Sequence, residues 1–198
     1  NGDDKPYELN ISWWSAMEDS SRDAKRFQYE RFILSQLLVM ALKGVPAFYL
    51  PALLASENDI KSFSMTGQRR DLNREKFKSE NLSAVLNNPE SNANKNLKYL
   101  RNAMDVRSEL KQFHPCSEMK CLSKGRSDIV VIKRSKGPES VFAIHNMTEN
   151  KINYQLNDND LPKIIDNDFN THDFLTSTKY NCKNISLDPF QVIWLSAL

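Results

Sequence analysis

The residues best suited to chemistry in this chain lie in one short polar segment, Thr66 to Arg74. It carries three guanidinium groups, those of Arg69, Arg70 and Arg74, together with the carboxylate of Asp71. A guanidinium stays charged, and its planar fork can bond two oxygen atoms of one anion. The chain has 27 basic and 25 acidic residues, a formal net charge of +2. Anion binding must therefore come from a local cluster such as this one, and not from the overall field.

Four polar side chains in or near this segment each have a structural and a functional interpretation. Asp71 and Arg74 stand at i, i+3, and we expect them to hold the loop through a salt bridge that contributes little if it is exposed. Asn58 and Asp59 follow a loop that breaks a helix, and we expect them to cap a short helix. A contact with a ligand is the alternative interpretation for all four.

Other residues with reactive side chains form no recognisable site. His114, Cys116 and Cys121 superficially resemble metal ligands that His145 or His172 could complete, but the spacing fits no standard zinc pattern. We therefore expect no metal and no cofactor. Three histidines support no Ser-His-Asp constellation, and five glycines form no glycine-rich phosphate loop.

The three tryptophans could stack on sugar rings. Trp13 and Trp14 are neighbours on a piece expected to be extended, so they point in opposite directions and at most one faces a pocket. Trp194 lies in an apolar run and is expected in the core.

The element expected to position the polar segment is a buried strand, Val45 to Leu50. It follows a helix from about Arg22 to Leu42, whose second half is apolar nearly all round. A polar loop directly after a buried strand is where barrel enzymes place their working groups, so we expect one wall of an active site here. A single strand cannot satisfy its own edges, which indicates a fragment or one half of an assembled protein.

The rest of the chain divides into a helical and a β-rich part. Residues 79–112 are predicted helical, with a start signal formed by Asn87 or Asn88 together with Pro89 and Glu90. One helix face is predicted to carry four apolar side chains: Ala93, Leu97, Leu100 and Met104. From residue 113 onward, β-rich runs and the hairpin signal Lys136-Gly137-Pro138 predict an all-β sandwich of about six strands.

Composition limits the cellular compartments in which this protein is expected and the classes of partner that it is expected to bind. The chain of 198 residues has only three cysteines, an odd and low count that argues for a reducing compartment. The polar N-terminus shows no signal peptide, and the longest apolar run near the first helix is too short to span a bilayer. We expect a cytoplasmic protein that binds neither nucleic acid nor membrane.

Several motifs in this order and spacing identify a resemblance. They are Tyr7-Glu8-Leu9-Asn10, Gly44-Val45-Pro46-Ala47-Phe48-Tyr49, Glu57-Asn58-Asp59, Thr66-Gly67-x-x-Arg70-Asp71-Leu72-Asn73-Arg74, Phe113-His114-Pro115 and Pro189 to Leu195. Together they resemble the C-terminal part of the sucrose phosphorylase group within the α-amylase family (glycoside hydrolase family thirteen). The resemblance covers nearly the whole chain.

The resemblance implies an α+β fragment. Residues 1–112 would be the C-terminal remnant of a (β/α)8 TIM barrel, with Val45–Leu50 as its eighth strand, and residues 113–198 the β-sandwich domain. Family members use a retaining double displacement, for which two carboxyl groups lie about 5–5.5 Å apart. Because these carboxyl groups belong to earlier strands, we expect no catalytic residue in this chain and no activity from it alone.

The resemblance also implies the partners of the complete protein. These are an α-glucoside, inorganic phosphate that receives the glucosyl group to give glucose 1-phosphate, and the missing N-terminal barrel segment; a homodimer is left open. Arg70 aligns with an arginine that binds acceptor and phosphate, and Tyr7 with a tyrosine of a mobile loop. Glu8 stands where the sucrose enzymes have Gln. This difference makes glucosylglycerate or glucosylglycerol a candidate substrate in place of sucrose. The expected binding residues are Arg70, Tyr7, Glu8, Asn58, Asp59, Asp71 and Arg74.

Two alternatives stay open. One is a hydrolase or transglucosidase of the same family, which activity with and without phosphate would separate from a phosphorylase. The other is a non-catalytic carbohydrate-binding or scaffolding module, which predicts that residues 113–198 bind a glycan by themselves.

Overall fold

The computed structural model describes residues 8–19, 23, 25–123, 125–157 and 170–197. These residues fall into two compact units. Unit 1 comprises the described residues up to Gln28 together with Phe48–Tyr99, and unit 2 comprises Tyr29–Ala47 together with the described residues from Leu100 onward.

Five α-helices lie in the described part of the chain. They are α1 Gln28–Ala41, α2 Leu50–Leu53, α3 Ile60–Thr66, α4 Ser79–Asn87 and α5 Asn92–Glu109. Three short 3-10 helices accompany them, at Ser15–Met17, Arg69–Asn73 and Lys111–Phe113.

Helix α1 begins at Gln28 and not near Arg22. Phe27 has a φ of 56°, in the left-handed region, and an L-residue in that conformation interrupts a right-handed helix. The apolar character of the second half is confirmed, because Phe32, Leu37 and Met40 are fully buried.

The predicted strand at Val45–Leu50 is absent from the described structure. Residues 45–49 run without strand pairing, and Leu50 already begins α2, with Pro51 in its first turn. Val45 is 80% exposed, so the expected burial is also wrong. A strand exists only where a neighbour completes its ladder of hydrogen bonds, and no described strand lies beside these residues.

The helical prediction for residues 79–112 is confirmed, with a break where the sequence indicates one. Helix α4 ends at Asn87, and the Asn88 carboxamide oxygen accepts a hydrogen bond from the Glu90 backbone N–H at 3.0 Å. The buried face of α5 differs from the predicted one, since Asn96 and Ala103 are buried with Ala93 and Leu100. Asn96 was not expected there. Its amide nitrogen donates to the carbonyls of Ala52 and Leu53 at 3.1 and 2.7 Å, which compensates the burial of that nitrogen, whereas its Oδ1 has no hydrogen-bond partner among the described residues.

Eight strands follow in unit 2. They are β1 Glu118–Cys121, β2 Ile129–Lys136, β3 Glu139–Asn146, β4 Ile152–Tyr154, β5 Asn170–His172, β6 Lys179–Asn181, β7 Ile185–Leu187 and β8 Val192–Ala197. An antiparallel sheet has the order β1-β2-β3-β8, and two antiparallel pairs, β4-β7 and β5-β6, complete the set.

The hairpin predicted at Lys136-Gly137-Pro138 is confirmed. Lys136 pairs with Glu139, so Gly137 and Pro138 form the two-residue turn, and Gly137 has a φ of 61° that glycine adopts without strain. The long strands β2 and β3 that it joins form the centre of the larger sheet.

The β-sheets enclose the core expected of a sandwich. Alternate residues of β2, β3 and β8 pack against Leu156, Cys182 and residues of β7. The opposite side of β8 is also covered, because Trp194 is fully buried and its ring lies 4.7 Å from that of Phe113. The prediction that Trp194 is a core residue is confirmed.

Two arginines of unit 2 meet the carboxyl end of α1. The Arg107 guanidinium donates to the carbonyls of Met40, Gly44 and Phe113 at 2.9–3.1 Å. The fully buried Arg134 donates to the carbonyls of Ala41 and Leu42 at 3.1 and 2.8 Å. It also donates to the carbonyls of His114 and Glu118. Carbonyls at a helix end lack partners within the helix and carry partial negative charge, so both cations are well placed there.

None of the helices in the described ranges has the length and apolar character that a bilayer crossing requires.

Candidate functional site

The arginine-bearing segment lies in unit 1 as a compact turn. Helix α3 ends at Thr66. Its C-cap is Gly67, which has a φ of 68° and thus the left-handed conformation that commonly closes a helix. The 3-10 helix Arg69–Asn73 follows at once and presents Arg69 and Arg70 on the surface. The sequence folds this way because glycine permits the reversal that separates the two helices.

Arg70 forms a two-pronged ion pair with Glu8. Its Nε donates to one carboxylate oxygen at 2.8 Å, and its Nη2 donates to the other at 3.2 Å. The side chains remain 52% and 35% exposed, so this pair is open to solvent and to ligands. The fork of Arg70 is thus seen holding an oxyanion, which is the geometry that phosphate or a carboxylate substrate requires.

Positive charge surrounds Glu8. The hydrogen bonds from Arg70 lower the pKa of the Glu8 carboxyl below its ordinary value, and the charges of Arg70 and Arg74 act in the same direction. Arg74 is therefore close enough to contribute to the field at this carboxylate. The predicted cation Arg70 and the predicted carboxylate Glu8 come together although 62 positions separate them in the sequence.

Asp59 and Asn58 have structural partners. Asp59 is the N-cap of α3, because its carboxylate accepts from the Ser62 backbone N–H at 2.8 Å and from the Ser62 hydroxyl at 2.5 Å. These bonds lower the pKa of Asp59. The Asn58 carboxamide oxygen accepts from the Ser12 backbone N–H at 2.7 Å, and the Asn58 backbone N–H donates to the Ser15 hydroxyl at 3.1 Å. Both residues shape the surroundings of the arginine segment.

The predicted salt bridge between Asp71 and Arg74 is wrong. One Asp71 carboxylate oxygen accepts from the Thr66 hydroxyl at 2.6 Å, and the other lies 4.0 Å from Lys76 Nζ. Arg74 has a φ of −128° and a ψ of 56°, so the backbone has left the helical path that would bring i and i+3 together. Asp71 instead ties the turn to the end of α3.

Three aromatic residues were also candidates for ligand contacts: Tyr7, Trp13 and Trp14. Tyr7 lies outside the described residues. Trp13 and Trp14 belong to a turn and not to an extended piece, because Trp14 has helical dihedral angles. Trp13 is 40% exposed and Trp14 is 3% exposed, so only Trp13 could offer an open ring.

The histidines and cysteines of the described residues do not form a cluster that could hold a metal ion. His114 Nδ1 accepts from the backbone N–H of Cys116, whereas His145 is fully buried in β3. Within the described ranges, no three His, Cys, Asp or Glu side chains are arranged to hold a metal ion.

Sequence reasoning missed the two serines that fix Asn58. Besides its contact with Asn58, Ser12 accepts a hydrogen bond at its hydroxyl oxygen from the Ser15 backbone N–H at 3.1 Å, just before the 3-10 helix Ser15–Met17, whose N-cap is Trp14. The sequence Ser12-Trp13-Trp14-Ser15 has no Glu or Gln at its fourth position, so the capping-box signal of a helix start could not have found this turn.

Comparison with known protein sequences finds glucosylglycerate and sucrose phosphorylases. No protein-family model matches the chain. The chain is 30% identical over 145 residues to the glucosylglycerate phosphorylase of Allomeiothermus silvanus, covering 73% of this chain and 26% of the relative. It is 24% identical over 197 residues to that of Escherichia coli, covering 98% and 33%. With the sucrose phosphorylase of Streptococcus mutans, it shares 24% over 155 residues, covering 78% and 29%.

The chain therefore spans about a quarter to a third of the length of these relatives. Solved structures resemble it in fold. A variant of AmyP in complex with maltotriose has a TM-score of 0.67 at 15% identity and covers 86% of this chain and 35% of that chain. The trehalose-6-phosphate hydrolase of Bacillus licheniformis has a TM-score of 0.61 at 16% identity, with coverages of 93% and 41%. At such identity the likeness shows the fold alone, and it confirms the predicted α+β class.

Proposed function

Because this chain is similar to the C-terminal portion of the sucrose phosphorylase-like group of the α-amylase family, we propose that the complete protein is a glucoside phosphorylase. It transfers an α-glucosyl group to phosphate with retention and gives glucose 1-phosphate. The catalytic carboxyl groups belong to the N-terminal barrel segment, and the chain described here supplies the side that receives the incoming nucleophile.

One observation carries the proposal: the fork of Arg70 holds both oxygens of a carboxylate at an exposed position. Phosphate presents a similar pair of oxygens, and charge-assisted two-pronged bonds are among the stronger polar contacts in proteins. Arg74, which also acts on Glu8, adds a second cation. Phosphate binding at this site requires Glu8 to release Arg70 or to share it.

Glucosylglycerate is the substrate that we favour. Three of the relatives, two of them 30% identical to this chain, are named glucosylglycerate phosphorylases. By the family resemblance, Glu8 stands where the sucrose enzymes have Gln. A carboxylate paired with an arginine can accept bonds from glycerate hydroxyls while the guanidinium binds the glycerate carboxylate. In the reverse reaction we expect glucose 1-phosphate to react with glycerate faster than with glycerol or fructose.

The test is the substitution Arg70→Ala in the complete protein, with Arg69→Ala as the matched control. Loss of charge-assisted bonds worth about 1.5–3 kcal/mol should raise the apparent phosphate constant about 10–100-fold. The glucoside constant should change much less. Arg69 is a neighbour on the same 3-10 helix, and its removal should leave both constants nearly unchanged.

Equal effects of Arg70→Ala on both constants would show that the arginine is wrongly assigned. Activity that is independent of phosphate would favour the hydrolase or transglucosidase instead. Initial rates measured at several phosphate concentrations, with glucose and glucose 1-phosphate counted separately, distinguish these outcomes.

We also propose a domain boundary, a cellular location and an oligomeric state for the complete protein. We place the boundary between barrel and sandwich at residues 112 and 113, and the barrel segment that precedes it in the relatives is the main partner of residues 1–112. A cytoplasmic location is supported by two exposed free thiols, those of Cys116 and Cys121, which persist in a reducing compartment. A homodimer is an alternative to a monomer, and the molar mass in solution decides between them.

A further inference from the structure

The larger sheet of unit 2 has an open edge at β1. In the order β1-β2-β3-β8, the outer strands are β1 and β8. Strand β8 is covered, because Leu195 forms a bridge with Asp173 and the Trp194 carbonyl accepts from the Phe174 backbone N–H at 2.9 Å. All four residues of β1 are exposed, and no described strand pairs with its outer side. An edge strand with unpaired backbone groups is a template for another strand.

The backbone groups that this edge offers belong to Met119 and Cys121. The Leu122 backbone N–H donates to a carbonyl of β2 at 2.9 Å, so the backbone polar groups of Leu122 are turned toward that strand. In an antiparallel ladder, successive residues of a strand turn these groups to opposite sides. Glu118 and Lys120 therefore also bond β2, whereas Met119 and Cys121 direct their N–H and C=O groups outward. No backbone hydrogen bond joins these outward groups to another part of the described chain.

Charge selects one register for the antiparallel pairing of β1 with a second copy of itself. A two-fold axis at Glu118 sets two carboxylates face to face, and an axis at Lys120 does the same with two ammonium groups. An axis at Cys121 sets Lys120 opposite Leu122, outside β1. An axis at Met119 sets Glu118 of each copy opposite Lys120 of the other, and the outward groups of the two Met119 residues then bond each other. Opposite charges that face each other across a ladder are stabilising, and like charges are destabilising.

The side chains around Met119 favour the same register. Within the chain, Lys120 lies opposite Lys133 of β2, and a carboxylate from a second copy offsets this like-charge pair. Met119 is 40% exposed, so pairing with its own copy removes apolar surface from water. Arg134, opposite Met119 in β2, is buried and donates to backbone carbonyls, so its charge is turned away from the axis. The Lys43 backbone N–H contacts the Met119 sulfur at 3.3 Å, and the exposed Lys43 side chain is solvated.

We propose that β1 binds a second copy of this chain in antiparallel orientation, with the two-fold axis at Met119. Pairing joins two four-stranded sheets into one sheet of eight strands, and every contact occurs twice because the interface is symmetric. The strand has four residues, so the interface is small, and we expect a weak dimer with a dissociation constant of roughly 100 μM. This pairing does not depend on the reaction that the complete protein catalyses.

The first test measures the molar mass of the complete protein by sedimentation at concentrations from about 5 to about 500 μM, a range that brackets this dissociation constant. The dimer fraction should increase with concentration. Glu118→Lys should weaken association at least about tenfold, because it opposes two cations at both symmetric pairs. Glu118→Lys combined with Lys120→Glu reverses both signs and should restore association to within about threefold. Glu149→Lys, an exposed change of the same charge outside β1, should leave association unchanged.

The second test traps the register with a disulfide. Cys116→Ser and Cys121→Ser first remove the exposed thiols of the described chain. Met119→Cys should then give a covalent dimer under mild oxidation, because facing hydrogen-bonded residues have Cα atoms roughly 5.5 Å apart, within the range of a disulfide. The control Cys116→Ser keeps Cys121, which would lie roughly 13 Å from its own copy, too far for a disulfide. Mass mapping of peptides identifies the linked residues.

Urea unfolding midpoints close to that of the wild type establish that the variants remain folded. A complete protein that stays monomeric over the whole concentration range overturns the proposal, as when its N-terminal barrel segment covers β1. Association that persists in Glu118→Lys, or that the charge reversal does not restore, assigns the dimer to another surface and overturns it too. So does the absence of a covalent dimer linked through the cysteine introduced at Met119.

Discussion

His145 illustrates what complete burial does to an ionisable side chain. It lies in β3, is fully buried, and its Nδ1 is 3.3 Å from the carbonyl oxygen of Val130. Burial lowers the pKa of the His145 imidazole from its ordinary value of 6.5 to about 4, and hydrogen bonds to backbone carbonyls offset this only in part. The imidazole is therefore neutral in the folded protein at physiological pH.

This pKa predicts a loss of stability in mild acid. Below pH 6.5 the unfolded chain binds a proton at His145 that the folded chain refuses until about pH 4. The contribution is therefore present above 6.5 and is lost as the pH falls, by up to about 3 kcal/mol. Urea unfolding of the wild type and of His145→Gln at several pH values should show a slope that is smaller in the variant. The matched variant His114→Gln, at an exposed position, should keep the wild-type slope; equal slopes for all three proteins would contradict this prediction.

The sequence indicated candidate binding residues such as Arg70 and Glu8. It did not indicate which side chains these residues would pair with. Arg70 and Glu8 were identified by motif, but their pairing joins residues 62 positions apart and has no local signature. The pairing of Asp71 with Arg74 was predicted from spacing alone. It fails because spacing on a helix determines contacts only while the helix continues, and the backbone has left the helix at Arg74.

Arg107 and Arg134 connect elements that the sequence treats as separate. Both guanidinium groups bond the carbonyls at the carboxyl end of α1, one from α5 and the other from β2. Burial lowers the pKa of each, and the charge of Arg107 lowers the pKa of Arg134 further. The four described bonds of Arg134 to carbonyl oxygens compensate the removal of its charge from water.

The substitution Arg134→Met tests this connection. It leaves four carbonyl oxygens with one partner fewer, and we expect the free energy of unfolding to fall by about 3–5 kcal/mol. The matched control is Arg126→Met. Arg126 forms an exposed ion pair with Asp128, so its loss should change stability by about 1 kcal/mol or less. Urea unfolding measures both, and similar losses for the two variants would show that the buried bonds contribute no special stability.

Elements whose signals are local were predicted well. The hairpin at Gly137-Pro138 was found because the turn residues themselves dictate the reversal. The predicted strand at Val45–Leu50 is absent from the described structure. Apolar composition favours a strand, but a strand forms only where a neighbouring strand supplies the hydrogen bonds of its ladder. The start of α1 was missed because nothing in the identity of Phe27 announces a left-handed backbone.

At the scale of the molecule, composition predicted a chain without disulfide crosslinks. None of the three cysteines forms a disulfide bond, and Cys116 and Cys121 are exposed whereas Cys182 is buried in the core of the sandwich. Their reactivity therefore reports on the integrity of unit 2 as a whole.

Thiol titration with a disulfide reagent should show two fast groups and a third that reacts only when the protein unfolds. The rate depends on access of the reagent to the thiol, and burial in the core denies that access to Cys182. Cys116→Ser should remove one fast group and leave the slow one. Three equally fast thiols in the native protein would contradict the buried position of Cys182.

The two guanidinium groups at the carboxyl end of α1 also restrict how this helix can evolve. One residue inserted between Gln28 and Ala41 would rotate the final carbonyls by about 100° relative to the upstream face. The internal hydrogen bonds of the helix would survive this change, but Arg107 and Arg134 would together lose the acceptors that they have at the end of α1. Substitutions in α1 are therefore more tolerable than changes of register, and the number of residues in this helix is as much a constraint as their identity.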